Sequence, residues 1–388
     1  MSISFSDTTS SSAEPKFAEV FITADTAPAT GHWQLSGASV RGLSHQQHCL
    51  PCQDRHGYCQ LAEYPDWAIA VVADGAGAKS HSDIGAQIVV AETLSFVKSW
   101  LRSQLESSAQ SQLIFYPHCD FHPPYLSPSS SPLAGGLRGS DSHNSVYKVV
   151  PSYINASYNK ASLAPPVFWQ APFLPPVLPK DSQLSQLADQ LYQHLYSRLH
   201  DYASQQDIPI AALGCTLIVS ILSPIGVTLI HIGDGRAAYQ DTAGDWHALM
   251  QPWKDDEGYT VFVTTQALQQ SSRQASSNNH DYIRATTVMQ PIQAVVLMSD
   301  GCESSAFECQ VFDAAKQQYI RPNRPFARFL DPVKSTLMQL HHHYRNDSAA
   351  INSRFAAFLQ QGADSLKKEG DDKTLVFAVY QPLNAPSN

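Results

Sequence analysis

The sequence predicts an α+β domain in which antiparallel β-sheets are layered with pairs of helices. Two observations carry this. Between residues 215 and 300 the apolar segments CTLIVSIL, GVTLIHIG, RAAYQ, YTVFVTT, YIRATTVM and AVVLMS follow one another with no helical pattern between them. Such short spacing makes neighbours antiparallel, because a parallel pair needs a long crossover. On either side of that run, apolar residues recur every three to four positions, as amphipathic helices require. The 388 residues, 43% of them hydrophobic, suffice for one large domain with extensions or for two ordinary ones.

Residues 1 to about 30 are rich in Ser, Thr and Ala without a period, and a disordered tail is expected there. WQLSGASV, from Trp33, reads as a first strand. Tyr58 to Ala62 and Trp67 to Ala73 read as a hairpin pair split by Pro65-Asp66. Ile84, Ile88, Ala91, Leu94, Val97 and Leu101 then mark a helix against the sheet. The window from about 105 to 180 holds 12 of the 25 prolines, so it is expected to be a long Pro-rich insertion between two helices. Phe168, Trp169 and Phe173 within it suit either a cover for the domain's own surface or a docking segment. Helical spacing resumes at Leu184, Leu187, Leu191, Leu195, Leu199 and Tyr202, with Asp181 or Ser182 as cap. After the strand run come two helical stretches near 333–345 and 349–361, then a last strand, TLVFAVY. The domain thus runs over about 31–381, with 382–388 as a tail.

A net charge of −9 argues against nucleic acid or an anionic membrane as partner. No apolar run approaches a membrane span, and the N-terminus lacks the features of a signal peptide. A soluble, cytoplasmic protein is expected. Seven cysteines, an odd number, do not suggest a disulfide framework. Cys49-Leu-Pro-Cys52, with Cys59, His45 and His48 nearby, has zinc-like spacing but no second pair to close a site, so reduced thiols are the better reading.

Four aspartates stand at strand ends: Asp74 in VVADGAGAKSHSDIGA, Asp234 in HIGDGRAAY, Asp300 in VVLMSDGCE and Asp371 in GDDKTLVFAV. Each has an ordinary alternative. Asp74 suits a turn. Asp234 suits an ion pair with Arg236, Asp300 a helix cap, and Asp371 and Asp372 solvated loop charges, with Asp372 in an Asx turn. Jointly they favour one edge of the sheets, where close carboxylates repel unless hard divalent cations neutralise them. Mg²⁺ or Mn²⁺ is the expected ion.

The order Gln53-Asp54, Asp74-Gly75-Ala76-Gly77, Gly214-Cys215-Thr216, Gly233-Asp234-Gly235-Arg236, Ser299-Asp300-Gly301 and Asp371-Asp372-Lys373-Thr374 resembles the metal-dependent protein serine/threonine phosphatases of the type-2C family. GASVRGLSHQQHCLPCQDRHG is similar to the opening of a bacterial subgroup of it. The resemblance runs from about Gly37 to Tyr380, except the insertion. It implies a central antiparallel β-sandwich flanked by helix pairs, in α-β-β-α layers, with metals at one end. It implies that Asp74 bridges two ions, with the Gly75 carbonyl on one of them. Asp300 and Asp371 complete the other, Asp54 holds water, and Asp234 with Asp300 forms a third, weaker position. Gly214 and Thr216 match a structural strand start. The implied reaction is hydrolysis of phosphoserine and phosphothreonine in proteins. Two ions about 3.5–4 Å apart activate the attacking water, with no cysteine nucleophile. The implied partners are a phosphoprotein and, by analogy, a bacterial serine/threonine kinase.

Three positions depart from the pattern. Ala76 stands where many members have a histidine that serves as acid, with His81 five residues on. Cys49 stands where many have an arginine that grips phosphate, leaving Arg41 and Arg55 as candidates. Gln53 replaces a glutamate. A catalytically weak phosphoprotein-binding regulator and a hydrolase of small phosphoesters are therefore the competing readings.

Overall fold

In the computed structural model, residues 31–114, 178–179, 182–253, 259–265 and 283–383 are described. The expected tail at 1–30 and most of the expected insertion lie outside them. The chain divides into two compact units, Met1–Ser103 with Val177–Asn388, and Gln104–Pro176. The first unit carries the architecture given below.

It is an α+β fold with two five-stranded sheets, every pairing of which is antiparallel. One sheet takes the order β1 (Gly31–Val40), β14 (Lys373–Pro382), β9 (Ile292–Met298), β6 (Arg236–Asp241), β7 (Trp246–Ala248). The other runs β2 (Arg55–Gln60), β3 (Ala68–Ala73), β4 (Leu217–Ser223), β5 (Gly226–Ile232), β8 (Arg284–Val288). Helices α1 (Leu43–Gln47), α2 (Ser82–Ile114) and α3 (Ser182–Gln205) precede β4. Between β9 and the late helices lie α4 (Glu303–Ala306) and two small ribbons. One pairs β10 (Phe307–Glu308) with β13 (Arg324–Pro325), the other β11 (Val311–Asp313) with β12 (Gln318–Ile320). Helices α5 (Ala327–His343), α6 (Ser348–Gln361) and α7 (Asp364–Lys368) then lead into β14.

The alternation of side chains along each strand sorts the core into layers. Trp33 and Leu35 of β1, Val376 and Ala378 of β14 and Val295 and Leu297 of β9 meet Ala70 and Val72 of β3, Ile218 of β4 and Leu229 of β5 between the two sheets. Residues of the other parity, Ala38, Val296, Leu375 and Phe377, pack against Leu330, Val333 and Leu337 of α5 and Ile351, Phe355 and Leu359 of α6. The second sheet carries α2 on its outer face: a Cβ on Gly57 of β2 would fall 2.7 Å from Leu94 and 2.8 Å from Val90. Central strands are thus buried on both faces, which is why TLVFAVY reads as a continuous apolar run instead of alternating.

Two sequence expectations change. YTVFVTT is not a ladder strand. Residues 262–265 form a turn, with Thr265 N donating to Phe262 O and Phe262 N to Thr265 Oγ1, both at 2.9 Å. Val261 and Val263 are nonetheless fully buried, and this burial explains their β-like composition. The first late helix begins at Ala327, six residues before its expected start, and takes Pro332 inside it.

Candidate metal centre

Antiparallel pairing explains why the aspartates gather. In such a sheet one strand ends where its neighbour begins. Ala73 at the end of β3 pairs with Arg55 at the start of β2. Met298 at the end of β9 pairs with Arg236 at the start of β6 and with Leu375 near the start of β14. Asp74 and Asp54 flank the first pair; Asp300, Asp234 and Asp371 flank the second set. Asp74 feels the negative charge of Asp54, Asp300, Asp371 and Asp234 together.

The local chain is tightly built. Asp74 N donates to Thr216 Oγ1 at 3.0 Å, and Thr216 N returns a bond to Asp74 O at 2.8 Å. Thr216 therefore fixes the loop that carries Asp74. Gly75 must be glycine, since a Cβ there would stand 2.6 Å from Gln53 O and 2.9 Å from Ser82 O. At Gly301 a Cβ would meet Asp372 O at 2.0 Å. Asp54, 1% exposed, accepts from Ser299 Oγ at 2.6 Å, and the same oxygen accepts from Thr374 N at 3.0 Å. Asp234 accepts from Thr260 Oγ1 at 2.6 Å.

These carboxyls are ionised only at a penalty. Burial, then the nearby Asp372 charge, pushes Asp54 up to about 7. Burial followed by Asp54, Asp300, Asp371 and Asp234 holds Asp74 well above the usual carboxylate range. Burial, Asp371 and Asp234 push Asp300 up to about 6, and burial raises Asp371. Asp300 Oδ1 is buried without a hydrogen-bond partner. An orphaned carboxylate oxygen among mutually repelling carboxylates is the donor set a hard cation relieves, so the residues fit Mg²⁺ or Mn²⁺. Among the described residues no three His, Cys, Asp or Glu side chains are already drawn together as ligands of one ion.

Several ordinary alternatives are corrected. Asp372 is no solvated charge: it is 1% exposed, takes Gly42 N at 2.8 Å and Gln53 N at 2.5 Å, and pairs with His45 Nδ1 at 2.8 Å. It ties the 42–54 segment, and so Asp54, to the start of β14. Arg236 pairs with Glu303 at 2.9 Å. Asp300 opens a 3-10 turn whose N-cap is Ser299, so its carboxylate is not the cap. Arg41 and Arg55 donate to carbonyls of their own loop, at Leu50 for the former and at Cys52 and Asp54 for the latter. Cys49, Cys52 and Cys59 are free thiols, while His45 is taken by Asp372 and His48 bonds Ser44 O.

A cleft of about 730 Å³ is lined by Asp234, Asp300 and Asp371 together with Glu303, Glu369, Arg236 and Arg321, while Asp54 and Asp74 lie outside its lining. The sequence reading missed Glu303, Glu369 and Arg321, for no local motif marks them. Asp372 and Thr216 stood inside quoted motifs, but their backbone bonds need the fold to be visible. Ala76 is buried, and His81 bonds Ser80 Oγ at 2.8 Å; neither lines the cleft.

The family described as protein phosphatase 2C matches residues 41–116 and 148–360, more than half of the chain. Among solved structures, the catalytic domain of the serine/threonine protein phosphatase PstP, in complex with 2 manganese ions, is 12% identical; 91% of this chain and 100% of that one are covered, with a TM-score of 0.40. PppA, a regulatory component of the T6SS in Pseudomonas aeruginosa, is 11% identical over 90% of this chain and 98% of that one, with a TM-score of 0.40. A serine/threonine phosphatase of S. agalactiae is 9% identical over 90% and 99%, again at 0.40. No curated protein matches the chain. No described helix is long and apolar enough to cross a membrane.

Proposed function

Because the chain belongs to the protein phosphatase 2C family, we propose that it hydrolyses phosphoserine and phosphothreonine in proteins, with Mn²⁺ or Mg²⁺ held by Asp74, the Gly75 carbonyl, Asp234, Asp300 and Asp371. The observation that carries this reading is the buried, unpartnered Asp300 Oδ1 among carboxyls raised by one another's charge. Two such ions, when bound, lower the pKa of water and offset the charge of the phosphate.

The chain's own residues do the rest. Asp54, with Oδ2 committed to the Ser299 hydroxyl, orients water through its remaining acceptor capacity. Thr216 and Asp372 hold the two loops that carry Asp74 and Asp54 in register. The leaving serine or threonine oxygen must gain a proton. Ala76 has none to give and the His81 ring is engaged with Ser80 Oγ, so solvent water supplies it. A phosphoprotein is the substrate and a serine/threonine kinase its counterpart, with the cytoplasm as the setting.

The test is Mn²⁺-dependent release of phosphate from a phosphothreonine peptide panel, with nitrophenyl phosphate and nucleotides run beside it. Turnover of the peptides is expected. Hydrolysis of small esters alone would make the protein a small-phosphoester hydrolase. Peptide binding without turnover would make it a regulator.

A further inference from the structure

Among the described residues the cleft is lined by five carboxylates, from Asp234, Asp300, Asp371, Glu303 and Glu369, against two guanidiniums, from Arg236 and Arg321. Arg236 is fully committed. Its Nε donates to Glu303 Oε2 at 2.9 Å, its Nη1 donates to Asn323 Oδ1, and the residue is only 8% exposed. Arg321 is exposed and makes no hydrogen bond or ion pair among the described residues.

Its position is nevertheless fixed. Arg321 follows β12 directly and lies two residues before Asn323. Asn323 is buried, with φ of 48°, and its side chain is held at both ends: Nδ2 donates to Met250 O at 2.9 Å and Oδ1 accepts from Arg236. The stretch of backbone that carries Arg321 is thus pinned to the cleft wall while its guanidinium stays free. The positions that the sequence raised for this role offer no equivalent. Cys49 is exposed and uncharged, and Arg41 and Arg55 are bonded to their own loop, outside the cleft lining.

We propose that Arg321 grips the substrate phosphate, reaching it from the ribbon side of the cleft. The proposal rests on the phosphatase reading given above. A guanidinium fork meets two non-bridging phosphate oxygens at once, which a single ammonium cannot do. Since the phosphate group is common to all substrates, the grip acts on small esters and peptides alike.

The experiment compares the full chain with Arg321→Ala and Arg321→Lys, using Mn²⁺, nitrophenyl phosphate and a phosphothreonine peptide. Arg324→Ala is the control, because Arg324 is exposed, pairs with Glu308 at 3.1 Å and lies outside the cleft lining. Arg321→Ala should raise KM for both substrates by roughly ten- to a hundredfold. Inhibition by inorganic phosphate should weaken in proportion, while calorimetric Mn²⁺ affinity stays unchanged. Arg321→Lys should fall between, and Arg324→Ala should match wild type. An unchanged KM for nitrophenyl phosphate overturns the proposal, including the case in which only the peptide is affected. If wild type turns over neither substrate, the phosphatase reading fails by itself. Calorimetric binding of inorganic phosphate to the Mn²⁺-loaded protein then decides: loss in Arg321→Ala supports the grip, and equal binding overturns it.

Discussion

Asp300→Asn tests the metal centre through stability as well as activity. The Asp300 carboxyl is raised from 3.8 to about 6 by burial and by the charges of Asp371 and Asp234. A raised pKa means that the folded chain holds the proton more tightly than the unfolded one. The ionised group therefore costs no stability below pH 4, an increasing amount between about 4 and 6, and a constant amount above 6. Two units correspond to roughly 3 kcal/mol, which an amide recovers in part because it keeps the burial but loses the charge. In EDTA at pH 8 the variant should melt several degrees above wild type, and at pH 4 the difference should vanish. Mn²⁺ should invert the order: binding at about a hundred times the dissociation constant adds about 2.7 kcal/mol to wild type, and the variant gains little. Phosphatase activity should be nearly abolished. Melting curves in EDTA and Mn²⁺ at the two pH values read all of this. A variant that melts below wild type in EDTA at pH 8, or that gains as much from Mn²⁺, refutes the reasoning.

Asp234→Ala, which frees Thr260, should leave calorimetric Mn²⁺ binding at the tight positions within a few-fold of wild type and reduce turnover far more; equal loss of both would place Asp234 in the primary pair. His81→Ala should change the phosphopeptide rate by less than about tenfold, under roughly 1.4 kcal/mol of barrier, because the ring is engaged with Ser80; a hundredfold loss confined to the alkyl phosphate would make His81 the acid. Replacing residues 116–176 by a short Gly-Ser linker should leave a soluble chain that binds Mn²⁺, since loop closure costs grow slowly with length. Leu178 must stay, as it is 1% exposed and sits against Gly226. Aggregation, or loss of Mn²⁺ binding, would show that the excised segment belongs to the core.

Much of the fold was legible because burial leaves a compositional trace. VVLMS and TLVFAV are apolar on both faces and could only be central strands. Leu184 to Leu199 kept a clean helical period because that helix buries one face alone. The same trace misled at Tyr259–Thr265, where Val261 and Val263 are buried outside any ladder strand. At Pro332 the sequence suggested a helix start, yet α5 accommodates the ring one turn and a half inside. Of the residues proposed for the site, Asp74, Asp234, Asp300 and Asp371 were legible as strand-end carboxylates, and Asp54 only through the family resemblance. Asp372 was not, for a buried carboxylate bonded to Gly42 and Gln53 reads like its exposed neighbour until the 42–54 segment is folded over it. Arg321 carried no signal at all. Its meaning comes from Asn323 and Met250, which are 73 positions apart in the chain.

The charge of the cleft ties these points together. With five carboxylates against two guanidiniums among the described lining residues, a phosphate dianion approaching the carboxylates alone meets net repulsion in a partly enclosed, low-dielectric space. On the proposed reading, bound divalent cations would offset that excess, so metal would be needed for substrate entry as well as for the chemical step. It also follows that positive charge on the protein side must be rationed. Arg236 is neutralised by Glu303 and spent on holding Asn323, leaving Arg321 as the one uncommitted guanidinium among the described residues of the lining.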